Sequence, residues 1–70
     1  MITYHKLSVE CTGNNGKEYR IVVEPDTEVP FYLANVHCLQ DDTVVCEDYS
    51  IRSDEGVWKA LNTALMVYVP

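Results

Sequence analysis

Seventy residues make one small domain, residues 1–70, with eleven acids against five bases and a net charge of −6. That balance argues against direct binding of nucleic acid, which needs a basic patch, and against anionic membrane surfaces. An apolar fraction of 47% is that of a folded chain rather than a disordered one.

The N-terminal "MITYHKLSVEC" lacks a basic region followed by a long apolar run, so it does not read as a signal peptide. With no spanning segment, a cytoplasmic protein with reduced thiols is expected. Within "YHKLSVEC", Leu7, Val9 and Cys11 fall on one face and Lys6, Ser8 and Glu10 on the other. That period of two predicts a half-buried strand. "TGNNGKE" supplies residues that tolerate positive φ, and "YRIVVE" alternates again with Tyr19, Ile21 and Val23 inward. The pair predicts an N-terminal β-hairpin.

"EPDTEVP" interrupts the pattern. Residues 28–40 then read in two ways. As a strand, Tyr32, Ala34, Val36 and Cys38 share a face; as a helix, Val29, Leu33, Val36 and Leu39 form a stripe with Thr27 as N-cap. Aromatic and β-branched content favours the strand. "TVVCEDYSI" is a strand by content, reached through a "QDD" turn. "SDEGVWKALNTALMVY" predicts a C-terminal helix with Ser53 as N-cap and Asp54 and Glu55 at the positive end of its dipole. Val57, Leu61, Ala64, Leu65 and Tyr68 recur at helical spacing. The expected fold class is α+β: a small antiparallel sheet of about four strands on one C-terminal helix. The alternative order is ββαβα.

Glu47 and Asp48 raise a conflict. Adjacent strand residues point to opposite faces, and one face of this sheet is covered. The strand must therefore end, bulge or run at an edge there.

No metal site is expected. His37 and Cys38 are adjacent, and His5, Cys11 and Cys46 lack the short paired spacings that zinc takes. Three cysteines suit no disulfide framework and read as small core residues. "TGNNG" lacks the following helix of a phosphate loop. No cofactor motif and no nucleophile with an orienting base stand out, so no enzymatic activity is expected.

What remains is charge. Asp41, Asp42, Glu47, Asp48, Asp54 and Glu55 lie between residues 41 and 56, with Arg52 the only base among them. With Tyr49 and Trp58 as aromatic anchors, they form the candidate partner-binding set, suited to a protein with a basic surface. The strand order, with "YRIVVEPD" and "ALNTALMVYV", resembles the HicB-type antitoxin family, which implies a small sheet with a helix and a regulatory homodimer. An additional strand precedes "YRIVVE" here, and the family's Pro/Gly-rich loop is missing. Size, acidity and scarcity of motifs also resemble phage-encoded inhibitors of host machinery such as anti-CRISPR proteins. Those resemblances imply a monomer or homodimer acting by protein binding.

Overall fold

The computed structural model describes residues 6–52 and 56–70. The chain is an α+β fold of four strands and one helix: β1 (Leu7–Thr12), β2 (Glu18–Pro25), β3 (Phe31–Cys38), β4 (Thr43–Arg52) and α1 (Val57–Tyr68). The strands form an antiparallel meander in the order β1-β2-β3-β4. Residues 31–38 are therefore a central strand, and the ββαβα order does not occur.

The alternation read from sequence sets the register. Leu7 pairs with Val23, Val9 with Ile21 and Cys11 with Tyr19. Tyr19 then pairs with Cys38, Ile21 with Val36 and Val23 with Ala34. These rows make one apolar face, and α1 packs across β2, β3 and β4 on it. Ile21, Val23, Ala34 and Val36 are fully buried there, with Ala60 and Ala64 of the helix. Small helix residues at the contact let the axis approach the sheet closely. Leu61 is buried, and Val57, Leu65 and Tyr68 pack at the rim of the core. Cys11 shares the inner face but is only half-buried, because β1 is a sheet margin beside the helix rather than under it.

The helix starts later than its sequence signals suggest. Its N-cap is Gly56, not Ser53, and among the described residues no side-chain hydrogen bond caps it. Gly56 adopts φ 93° and ψ −170°, a region essentially restricted to glycine. The Gly56 carbonyl accepts the Ala60 N–H at 3.3 Å and opens the first turn. Ser53, Asp54 and Glu55 lie outside the described residues.

At the other end, Val69 turns extended, and the Pro70 carbonyl accepts the Asn14 N–H at 2.8 Å. The C-terminus is thus fastened to the first hairpin loop. Gly13 sits in that junction. A Cβ on it would lie 2.9 Å from Asn15 Oδ1, 2.9 Å from Tyr19 Cε1 and 3.2 Å from the Pro70 carbonyl. Gly13→Ala should therefore displace the hairpin loop or the terminus, at a cost of about 1–3 kcal/mol in chemical denaturation. Unchanged stability would show that the junction yields freely.

Candidate functional site

The sequence conflict at Glu47 and Asp48 is resolved by bulging. β4 has ten residues against eight in β3, and its register slips twice. Ala34 pairs with Tyr49 and Val36 with Cys46, so Asn35 alone faces Glu47 and Asp48. Val45 is the second extra residue, between the His37–Val44 and Val36–Cys46 pairs. The bulge resets the alternation. Cys46 points inward, Glu47 and Asp48 are both exposed, and Tyr49 and Ile51 return to the core side. Asp48 takes φ 51°, a conformation that Asp and Asn tolerate better than most residues. Its N–H donates to Asn35 Oδ1 at 3.1 Å.

The left-handed backbone at Asp48 makes a prediction. Asp48→Val should destabilise the fold by about 1–2 kcal/mol, while Asp48→Gly should be neutral or stabilising. Equal denaturation midpoints for the two variants would contradict the bulge geometry.

Asp41 and Asp42 occupy the β3–β4 turn, Asp42 with φ 56°. Asp41 is not unpaired, as its neighbours in sequence suggest. The antiparallel meander brings the β1–β2 loop beside this turn, and Lys17 Nζ lies 3.3 Å from Asp41 Oδ2. Hydrogen bonds centred on Thr43 and Cys38, with the Lys17 ammonium, hold the Asp41 carboxyl down at about 2. Its pKa is lowered on folding, so what this group adds to stability is present above the ordinary carboxylate range. It is lost as pH falls toward 2. Both partners are about half exposed, so the pair adds little at physiological salt.

The remaining members of the predicted set separate. Tyr49 is half-buried on the core side, its ring edge-on to Tyr68 with centroids 5.1 Å apart and planes at 79°. It is a packing residue with limited exposed surface. Trp58 stands on the outer side of α1, 66% exposed. Asp54 and Glu55 lie outside the described residues. Two exposed apolar helix residues escaped the sequence reading: Met66, 85% exposed, and Val67. The signal for Met66 was present, since it lies two helical repeats of four from Trp58 and so shares its face.

Thiol chemistry has little to work with. Cys38 and Cys46 are buried, and the Cys46 Sγ–H donates to the Ala34 carbonyl at 3.5 Å. Burial pushes the Cys11 thiol up, away from the reactive thiolate. His37 is exposed on the uncovered face, opposite to Cys38. Among the described residues, no three His, Cys, Asp or Glu side chains gather to hold a metal ion. A recess beside Glu10, Cys11, Thr12 and Glu18 has a volume of about 120 Å³, below the roughly 300–1,000 Å³ of small-molecule pockets. Among the described residues, no helix is long and apolar enough to cross a membrane.

Compared with protein families, curated proteins and solved structures, the chain gives no match.

Proposed function

We propose that this chain is a small acidic protein-binding module that covers a basic, nucleic-acid-binding surface of its partner. It would act as an inhibitor of host machinery of the anti-CRISPR kind, encoded by a phage or mobile element. The observation that carries this reading is the form of the β4 margin. Asp42, Glu47 and Asp48 are exposed along it, in a chain of net charge −6. The double bulge that exposes Glu47 and Asp48 also spoils this edge as a template for an added strand. Recognition there runs through carboxylate side chains rather than through backbone pairing. Complementary charge speeds encounter and orients it, and Trp58 supplies an exposed aromatic surface for affinity.

The test is affinity capture with the intact chain from its native host, followed by competition. A supporting result is a basic partner that releases the chain when nucleic acid or heparin is added. A partner that holds the chain and nucleic acid at the same time contradicts the reading.

A further inference from the structure

The two margins of the sheet are built differently. β4 is bulged twice and carries exposed acids. β1 pairs with β2 through six consecutive residues without a register shift. Its single carboxylate, Glu10, is engaged by Arg20 Nη2 at 2.9 Å. An edge with neither bulge nor net charge invites strand addition.

The backbone of β1 is also oriented for it. The Gly13 N–H donates to the Lys17 carbonyl at 2.8 Å, marking the pair that closes the hairpin. Backbone groups alternate along an antiparallel strand. Those of Cys11, Val9 and Leu7 therefore turn toward β2, and those of Ser8, Glu10 and Thr12 turn outward. Among the described residues, no strand lies beyond them. Leu7, Val9 and Cys11 remain half-buried at the same margin, apolar side chains beside the helix rather than under it.

We propose that the partner for this edge is a second copy of the chain, joined by antiparallel β1–β1 pairing about a two-fold axis at Val9. The choice of register follows from strand overlap and charge. A two-fold pairing that joins the outward backbone groups centres on an even or an odd residue of β1. Centred on Glu10, it sets Glu10 directly against the partner's Glu10. Centred on Ser8 or on Cys11, it overlaps only three residues of β1, 7–9 or 10–12, against five when centred on Val9 or Glu10. Centred on Val9, it sets Ser8 opposite the partner's Glu10, Val9 opposite the partner's Val9 and Leu7 opposite the partner's Cys11. Like charges are then no closer than diagonal, and each Glu10 keeps its own Arg20. Lys6 lies diagonal to the partner's Glu10, an attractive contact. The axis stands perpendicular to the sheet, so both helices share one face. Both acidic β4 margins are left free at the far ends of one continuous sheet.

This arrangement is tested without any binding partner, so its failure leaves the proposed function untouched. Light scattering of the full chain after size exclusion should give twice 8.0 kDa. Ser8→Pro removes an outward N–H that pairs with no strand among the described residues of the single copy, which an edge strand tolerates. It should weaken dimerisation by about 10- to 100-fold with an unchanged circular dichroism spectrum. Val9→Cys, in a Cys11→Ala background, should cross-link two chains on oxidation. Directly opposed residues of a non-hydrogen-bonded pair sit about 4.5 Å apart at Cα, within disulfide reach. A wild-type chain that stays monomeric overturns the inference. So does a dimer that Val9→Cys fails to cross-link. If Ser8→Pro unfolds the chain, the cross-link decides alone.

Discussion

Leu61→Ala should cost about 2–5 kcal/mol and lower the melting temperature by at least about 10 °C. Leu61 is 5% exposed in the one layer that joins helix to sheet. Its neighbours are poor candidates for filling the void. Ala60 and Ala64 are small and already buried, and Ile21, Val23 and Val36 are held by strand register on both sides. A chain of this size has a total stability of roughly 4–10 kcal/mol. The variant therefore stands near the limit of folding at 37 °C. Met66→Ala is the matched control. Met66 is 85% exposed on the opposite side of the same helix, and its loss should change stability by no more than about 0.5 kcal/mol. Thermal unfolding of the two variants side by side checks the docking of α1. A similar small shift in both would mean that the helix does not carry the core.

Neutralising the β4 margin should slow association with the captured partner by about 10-fold or more at low salt, and flatten its salt dependence. The variant is Asp42→Asn, Glu47→Gln and Asp48→Asn. It removes half of the net charge of −6. Asparagine keeps the positive φ at residues 42 and 48, so the turn and the bulge survive. Asp41 is left alone because Lys17 already engages it. Glu10 serves as the control, since Arg20 cancels most of its field. Glu10→Gln should leave the on-rate nearly unchanged. Association rates measured across a salt series decide the matter. An unaltered rate and slope in the triple variant, with its spectrum intact, would reduce the acids to a solubility device.

The hairpin of β1 and β2 and the apolar stripe of α1 were legible in the chain because both rest on local periodicity. A period of two around a Gly/Asn cluster, or of 3.6 along Val57, Leu61, Ala64, Leu65 and Tyr68, requires only near neighbours. The need for an irregularity at Glu47–Asp48 was legible for the same reason, since two adjacent acids break an alternation. What form it took was not. The left-handed turn at Asp48 depends on Asn35, which reaches it from β3. The strand at residues 31–38 also matched a helical stripe, and only its aromatic and β-branched content favoured the strand. Pairing on both sides, to β2 and β4, settled it. The helix start was misplaced because Ser53, Asp54 and Glu55 make good capping residues wherever they stand, while Gly56 alone accommodates the backbone that opens α1. Lys17 and Asp41 are 24 residues apart and meet only because the meander stacks two turns at one end of the sheet. Sequence by itself determined which side chains of β1, β2 and α1 turn inward and how much charge the chain holds, because those follow from period and composition. Tertiary structure decided which acids are paired, which aromatic is exposed and which sheet margin is open, because those depend on the order of the strands and on the part of the sheet that the helix covers.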